Sequence, residues 1–250
     1  MGLRHNASPR VITPLIPEIR SSEVHVWWSS LDQDEVRVAS YLQVLNARER
    51  DRALRIPLVN ERTQYIVSQG ILRELLSAYT RIPAHILRFD RGSFGKPVLE
   101  TQVDGEGLSF NVSRSGGVGI YAIGRDRRIG IDIEQMRSIG DCLELAEKFF
   151  NMREYRAICE FGDKCDLQFL RYWTCKEAYI KAKGEGLSYL MNGFVVDFSA
   201  DNKPRIFVDE EDPQACSRWS LYELDLPFDE CRGALCAEGI VSRLRIAEWS

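Results

Sequence analysis

Long apolar runs are missing from this sequence. No segment approaches the ~20 consecutive apolar residues that a transmembrane helix needs. The first twenty residues hold no apolar core of the length found in signal peptides. A basic excess is also missing, since the formal net charge of the 250 residues is −4. These absences predict a cytoplasmic protein that neither spans a membrane nor binds nucleic acid in general.

Cysteine pairs at metal-binding or redox spacing are missing too. The seven cysteines are odd in number, and no two stand in a C-x-x-C arrangement. The three histidines, His5, His25 and His85, lie far from any cysteine cluster. A structural zinc site is therefore not expected, and free buried thiols in a reducing compartment are the simplest interpretation. No Ser-His or Cys-His pattern for nucleophilic catalysis is evident either.

What the chain does contain is typical of a globular protein, with 44% hydrophobic and 28% charged residues. Its first half predicts a strand, two helices and four further extended segments. Its second half predicts a strand, three helices and four or five strands. The predicted helices are 45–55, 60–80, 142–150, 152–161 and 166–184. The predicted strands up to the midpoint of the chain are 23–28, 85–89, 96–100, 108–113, 117–124 and 129–134.

This order of elements predicts an α+β fold in which the two halves resemble each other. We expect an N-terminal arm (1–20), an N-terminal α+β subdomain (21–125) and a C-terminal α+β subdomain (126–250). No low-complexity linker separates the halves, so we expect them to pack firmly together.

The segment 129–134, "IGIDIE", carries two carboxylates on one face of a predicted strand. Because alternate side chains point to opposite faces, Asp132 and Glu134 share a face with Gly130, and the three isoleucines share the other. One interpretation is a half-buried strand whose acidic face meets solvent. The other is a site for a hard divalent cation such as Mg²⁺, which would relieve the repulsion between the carboxylates, with Gly130 leaving room beside them.

A second cluster of functional residues lies in 173–187, "WTCKEAYIKAKGEGL". On a helix, Trp173, Glu177 and Lys181 recur every four residues and share one face. A surface ion pair between Glu177 and Lys181 would explain this pattern, but the tryptophan indicates that the face is partly buried. A buried Glu needs a cation and a buried Lys needs an anion. Glu177 would then complete a metal site with Asp132 and Glu134, with Lys181 contacting a phosphate.

Together these motifs resemble the signature of the 4'-phosphopantetheinyl transferases. That signature is G-x-D-x-E followed about forty residues later by W-x-x-K-E-(A/S)-x-x-K. "FGKPVL" (94–99) and "FNVSRSGG" (110–117) are similar to two further stretches of the family. With 48–55 and 72–76, the resemblance extends over most of residues 45–187. The length and two-half layout are similar to the surfactin-type (Sfp-like) group.

The resemblance implies a monomeric pseudo-dimer of two similar α+β subdomains with the active site in the cleft between them. It implies transfer of phosphopantetheine from coenzyme A to a serine of an apo acyl or peptidyl carrier protein, with release of 3',5'-ADP. The cofactor would be Mg²⁺ or Mn²⁺, held by Asp132, Glu134 and Glu177. Glu177 and Lys181 would be catalytic, with Glu177 the preferred base and Lys181 near the phosphates.

The resemblance also implies a set of contacts to coenzyme A. They are Arg52, Lys96, Pro97, Ser113, Arg114, Asp132 and Lys181. Arg114 departs from the family, which usually has histidine at this position. Arginine would keep a phosphate contact and remove its pH dependence, or its longer side chain would displace the nucleotide, or it would point to solvent. Glu154 matches a glutamate discussed in the family as an auxiliary base.

Two other functions are compatible with the same residues. One is a Mg²⁺-dependent phosphoesterase acting on a nucleotide. The other is a non-catalytic module that binds coenzyme A or a carrier protein, although this chain retains every carboxylate of the signature and Lys181. Carrier domains are acidic around the modified serine, so basic segments at 48–55 and 125–128 are candidates for docking. The sequence does not distinguish fatty-acid, polyketide and nonribosomal-peptide carriers.

Overall fold

The computed structural model describes residues 18–92, 95–100, 107–184, 186, 189–198 and 201–250. Most of the predicted N-terminal arm therefore lies outside the described residues. Parts of the turn before "GKP" and of the glycine-rich segment after Gly184 also lie outside them.

The first half contains five strands and three helices. They are β1 (Glu23–Ser30), α1 (Glu35–Val44), α2 (Ala47–Leu54), α3 (Val59–Thr80), β2 (Phe89–Arg91), β3 (Pro97–Leu99), β4 (Leu108–Ser115) and β5 (Val118–Arg125). Helix α1 was not predicted, because its β-branched valines lower its helix propensity. Its start does carry a signal: the Asp34 side chain accepts a hydrogen bond from the Arg37 backbone NH, as an N-cap does.

The second half begins with a strand, continues with three helices and ends mainly in strands. It contains β6 (Ile129–Gln135), α4 (Cys142–Phe149), α5 (Met152–Cys159), α6 (Cys165–Lys183), β7 (Phe194–Phe198), β8 (Pro204–Asp209), α7 (Ala215–Arg218), β9 (Trp219–Glu223), β10 (Cys231–Glu238) and β11 (Arg243–Glu248). Gly184 ends α6 with a φ of 77°, a left-handed conformation that favours glycine. The mixed helix and sheet content agrees with the predicted α+β class.

Two larger sheets organise the chain. The first has the strand order β11-β1-β5-β4 and the second the order β6-β10-β9. The last strand, β11, runs parallel to β1 and pairs Ile246 with Val26, so the end of the chain joins the sheet of the first half. The division of the chain at residue 125 stays a prediction.

A continuous apolar layer lies between the two sheets. It combines side chains of β1 and β5 with the isoleucines of β6 and with Leu235 of β10. Ile129, Ile131 and Ile133 of β6 are essentially inaccessible to solvent. Fully burying an aliphatic side chain of this size contributes about 1.5–3 kcal/mol, so this layer fixes β6 firmly against the first sheet.

All seven cysteines are free thiols, as the sequence predicted. The expectation that they are buried is wrong for Cys159 and Cys216, which are exposed. Cys159 ends the short helix α5, and Cys216 lies in the single-turn helix α7, so neither is covered by a neighbouring layer.

Candidate active site

Because Gly130 has no side chain, α6 packs directly against β6 at this position. A Cβ atom at this position would lie 2.1 Å from the Ala178 carbonyl oxygen and 2.3 Å from the Ala182 backbone nitrogen. The space beside Gly130, which the sequence analysis reserved for a ligand, is therefore filled by the backbone of α6. The solvent-facing interpretation of this face is wrong, because Gly130 and Asp132 are both buried. The close approach brings Glu177 and Lys181 of α6 beside the acidic strand.

Asp132 is at the centre of the site and is only 3% exposed. Its Oδ1 accepts hydrogen bonds from the Lys181 ammonium at 2.6 Å and from the Ser113 hydroxyl at 2.9 Å. Its other oxygen, Oδ2, is buried and finds no hydrogen-bond partner among the residues that the structure describes. Burial raises the pKa of Asp132, while Lys181 and Ser113 oppose that rise. An unsatisfied buried carboxylate oxygen is costly, and a cation is the partner that would satisfy it.

Glu134 and Glu177 surround Asp132 with further negative charge. Burial raises the pKa of Glu177, and the Asp132 and Glu134 carboxylates raise it further. Burial and Asp132 likewise raise the pKa of Glu134. Within the described residues, the oxygens of these three side chains do not all lie within 4.8 Å of one another. The three carboxylates are therefore near enough to raise one another's pKa values, but they are not arranged as a set of ligands around one point.

Strand β4 lies along β6 and contacts it through three alternate side chains. The Asn111 Oδ1 accepts a hydrogen bond from the Ile131 NH at 2.7 Å. The Ser115 hydroxyl donates to the Glu134 carboxylate at 3.1 Å. The Ser113 hydroxyl donates to Asp132. Three alternate residues of β4, Asn111, Ser113 and Ser115, therefore hold β6 in position. Sequence analysis missed Asn111 and Ser115, although their spacing around Ser113 was a visible signal.

Lys96 lies between the two halves, but its ammonium faces protein carbonyls. It donates to the Ile129 oxygen at 2.6 Å and to the Lys181 oxygen at 2.7 Å. The Lys181 carbonyl is in the last turn of α6, where no intrahelical donor is available. Burial lowers the pKa of Lys96 to about 8. Lys96 thus joins the end of α6 to the start of β6, and its predicted contact with coenzyme A stays a prediction.

We expect Lys96→Met to lower the free energy of unfolding by about 1–3 kcal/mol, because two carbonyls lose their donor. Thermal unfolding measures this loss. Lys148→Met, at an exposed position of α4, is the control and should unfold like the wild type. An unchanged unfolding temperature with a raised KM for coenzyme A would instead assign Lys96 to ligand binding.

Two adjoining cavities open beside the carboxylates. The larger, about 550 Å³, has mostly apolar walls, including Phe149, Trp173, Ile180 and Tyr189, with Glu177 and Lys181 on its lining. The shared face predicted for Trp173, Glu177 and Lys181 is therefore present. The second cavity, about 530 Å³, is polar. Both include Gly95, Pro97 and Asn111 in their walls, so the cavities meet there.

The polar cavity is lined by arginines. The guanidinium of Arg52 lies 5.4 Å from the ring centroid of Tyr65, and that of Arg114 lies 5.3 Å from the same centroid. Burial and the neighbouring charge of Arg52 lower the pKa of Arg114. The Arg114 side chain is exposed overall, while its guanidinium lies over the Tyr65 ring in the wall of the polar cavity. Two guanidinium groups on one ring favour an anion, and phosphate matches their donor geometry.

Glu154 lies away from these cavities, in a fully buried ion pair with Lys176. The Lys176 ammonium contacts both Glu154 oxygens, at 2.7 and 2.9 Å, and the Phe194 carbonyl at 2.6 Å. The Glu154 carboxylate also accepts from the Val196 and Asn151 backbone NH groups. A carboxylate with no exposed surface cannot be reached by a substrate hydroxyl. The sequence did not predict this pairing.

We expect Glu154→Gln to lower the free energy of unfolding by about 3–5 kcal/mol, because a buried ammonium loses its counter-ion. The activity per folded molecule should remain near that of the wild type. Glu160→Gln, at an exposed position, provides the comparison for unfolding. A Glu154→Gln protein of normal stability with a large loss of kcat would restore Glu154 as a base.

The basic segment 125–128 is largely engaged within the protein. Arg128 forms two hydrogen bonds with the Glu238 carboxylate, both at 2.9 Å. Arg127 donates to the Ile240 carbonyl at 3.1 Å. In 48–55, Arg48 and Arg52 line the polar cavity. The segment 48–55 is therefore the better candidate for a contact with an anionic partner.

Two family models and several curated proteins are similar to this chain. A family model described as the 4'-phosphopantetheinyl transferase superfamily matches residues 128–237. Another, described as 4'-phosphopantetheinyl transferase, N-terminal, matches residues 27–123. The 4'-phosphopantetheinyl transferase HetI of Nostoc sp. is 35% identical over 223 residues, which are 88% of this chain and 89% of the relative.

More distant relatives are also found. The 4'-phosphopantetheinyl transferase Sfp of Bacillus subtilis is 26% identical over 198 residues, covering 79% of this chain and 84% of the relative. A solved structure, the holo-[acyl-carrier-protein] synthase of Thermotoga maritima, is 18% identical with a TM-score of 0.35, covering 45% of this chain and 62% of that one.

The chain belongs to the 4'-phosphopantetheinyl transferase family, as its motifs predicted. It is an enzyme that transfers phosphopantetheine to carrier proteins, and coenzyme A is the family's donor substrate. None of the helices in the described part of the chain is long and apolar enough to cross a membrane.

Proposed function

We propose that the site formed by β6, α6 and the two adjoining cavities transfers 4'-phosphopantetheine in a Mg²⁺-dependent reaction that releases 3',5'-ADP. The observation that carries this proposal is the buried Oδ2 of Asp132, which has no hydrogen-bond partner within the described part of the chain, beside two further carboxylates and the Lys181 ammonium. A nucleotide phosphoesterase would use the same carboxylates. The family relationship and the apolar cavity next to Glu177 favour the transferase.

The residues at this site fit a hard divalent cation. Three carboxylates whose pKa values are each raised by burial would be relieved by two positive charges. We assign Asp132, Glu134 and Glu177 to the metal ion, and the two glutamates would turn toward it by side-chain rotation. When bound, Mg²⁺ would neutralise negative charge on the pyrophosphate of coenzyme A. Mn²⁺ has similar oxygen preferences.

We assign the polar cavity to the nucleotide end of coenzyme A and the apolar cavity to its pantetheine arm. Arg52 and Arg114 would bind phosphate groups in the first. The walls near Trp173 and Tyr189 would cover the arm in the second. The junction at Gly95, Pro97 and Asn111 would then border the pyrophosphate, close to Lys181. With this assignment, Pro97 and Ser113 would both contact coenzyme A, as the family resemblance implies.

The chemical step moves one phosphoryl-linked group and one proton. The serine hydroxyl oxygen of the carrier attacks the β-phosphorus of coenzyme A, and the bond from that phosphorus to the bridging oxygen breaks. The electron pair leaves with 3',5'-ADP, and Lys181 and Arg114 stabilise the departing charge. We assign the role of proton acceptor to Glu177, which lines the apolar cavity next to Lys181 and would accept the serine proton on a carboxylate oxygen that the metal ion leaves free.

We expect Arg114→Ala to raise the KM for coenzyme A about 10- to 100-fold with a smaller change in kcat, because a charged hydrogen-bond donor is lost. Arg114→His should retain activity at pH 6. Its KM for coenzyme A should rise between pH 6 and 8 as the imidazole loses its proton, a dependence that arginine does not contribute. Arg156→Ala, at an exposed position of α5, is the matched control. An unchanged KM in Arg114→Ala would remove Arg114 from the site.

Incubation with coenzyme A, Mg²⁺ and a panel of apo carrier domains, followed by intact-mass measurement, tests the function directly. We expect at least one carrier to gain one phosphopantetheine group, with 3',5'-ADP formed in equal amount. ADP release without a modified carrier would indicate a phosphoesterase. Coenzyme A binding without either product would indicate a binding module. The monomeric state, the cytoplasmic location and the identity of the carrier stay predictions.

A further inference from the structure

Two cysteines meet where helices α4 and α6 begin. Cys142 is the first residue of α4, and Cys165 is the first residue of α6. Their sulfur atoms lie 2.6 Å apart. The bonded distance in a disulfide is about 2.05 Å, so these two thiols are already arranged close to bonding contact.

The two thiols differ in accessibility. Cys142 is 3% exposed, and burial together with contact with Cys165 raises its pKa to about 12. Cys165 is only partly buried, so a small oxidant in solvent can reach it. The Asp166 carboxylate lies within 4.8 Å of both sulfurs, and the Cys142 thiol donates to the Cys165 sulfur. The pair therefore combines an accessible thiol, a buried thiol and an adjacent proton acceptor.

We propose that Cys142 and Cys165 are a modification site that forms an intramolecular disulfide on reaction with hydrogen peroxide. The Cys165 sulfur attacks one peroxide oxygen, the O–O bond breaks, and sulfenic acid and water form. The Cys142 sulfur then attacks the Cys165 sulfur, and the S–O bond breaks. Asp166 takes the Cys142 proton and passes it to the departing hydroxide, which leaves as water. Two thiols are oxidised by two electrons, and one peroxide is reduced to two waters.

A metal site is the other interpretation of two thiols and a carboxylate. Two thiolates bound to one tetrahedral Zn²⁺, each at about 2.3 Å, lie about 3.8 Å apart. The observed 2.6 Å between the sulfurs is too short for that arrangement. The geometry therefore favours the disulfide.

The crosslink would join the starts of two helices that line the apolar cavity. Helix α4 contributes Phe149 to that cavity, and α6 contributes Trp173 and Glu177. Closing the chain between Cys142 and Cys165 restricts the unfolded state. We therefore expect the oxidised protein to unfold several degrees above the reduced protein. This inference is independent of the proposed catalytic roles.

Peptide mapping of the full-length protein tests the proposal. Reduced protein is treated with equimolar hydrogen peroxide, alkylated, digested and measured by mass spectrometry. We expect the peptides containing Cys142 and Cys165 to be joined and two hydrogen atoms lighter than their sum, and to separate again with dithiothreitol. Cys159 and Cys216, which are exposed, should be alkylated as in untreated protein. Cys216→Ser should behave like the wild type, whereas Cys142→Ser should leave a sulfenic acid on Cys165 that dimedone captures.

Three results would overturn the proposal. The first is complete alkylation of both thiols after oxidation. The second is sulfinic acid on Cys165 with Cys142 still free. The third is protection of both thiols by Zn²⁺ without an oxidant, reversed by a chelator, which would make the pair a metal site. These measurements use the wild-type chain, so they hold even if Cys142→Ser fails to fold.

Discussion

Glu177→Gln is expected to lower the rate of phosphopantetheine transfer by about a thousandfold while leaving the fold intact. The substitution keeps the shape of the side chain but removes the proton acceptor, and general base catalysis is worth about 10²- to 10⁴-fold. It also removes one of the three carboxylates assigned to the metal ion. The rate is measured by the mass gain of an apo carrier domain at saturating coenzyme A and Mg²⁺.

Two comparisons make this result specific. Glu160→Gln, at an exposed position before α6, should transfer at the wild-type rate. Asp132→Asn should lose as much activity as Glu177→Gln, and the double variant should lose little more, because both residues act in one unit. Transfer by Glu177→Gln within a few-fold of wild type would exclude Glu177 from the reaction. An unchanged unfolding temperature separates loss of chemistry from loss of structure.

Gly130→Ala is expected to destabilise the protein by about 3 kcal/mol or more and to abolish transfer. The new methyl carbon would stand 2.1 Å from the Ala178 carbonyl oxygen, and a helix backbone cannot rotate away as a side chain can. Helix α6 would have to move off β6, which would carry Glu177 and Lys181 away from Asp132. Thermal unfolding and the transfer assay measure the two effects.

Gly140→Ala is the matched control, because a Cβ atom there would meet nothing within 4 Å. It should leave the unfolding temperature and the transfer rate unchanged. Wild-type stability and rate in Gly130→Ala would show that α6 does not depend on close contact with β6. The placement of Glu177 and Lys181 beside Asp132 would then need a cause other than the packing of α6 on Gly130.

Local pattern predicted most of the helices and strands. Strand β6 was predictable because its alternating isoleucines and polar residues repeat every two residues, and α3 because its apolar residues follow a helical period. Helix α1 was missed since its valines obscure that period. The pairing of the last strand, β11, with β1 was not predictable. Long-range contacts decide which strand pairs with a given sheet edge.

The sequence by itself determined which residues are candidates for the chemistry. Residue type and spacing place two carboxylates on one strand and a Glu-Lys face on one helix, and these groups need a cation and an anion once they are buried. The same holds for the family, which the motifs of β6 and α6 identify.

Only the tertiary structure decided what each polar group contacts. Lys96 and Glu154 match residues of the family's motifs, yet Lys96 donates to two carbonyls and Glu154 pairs with Lys176. The Arg114 guanidinium lies over the ring of Tyr65 on α3. Such pairings depend on distances between segments remote in sequence, and no local period encodes those distances. For Lys96, the close packing of α6 on Gly130 brings its two acceptors together.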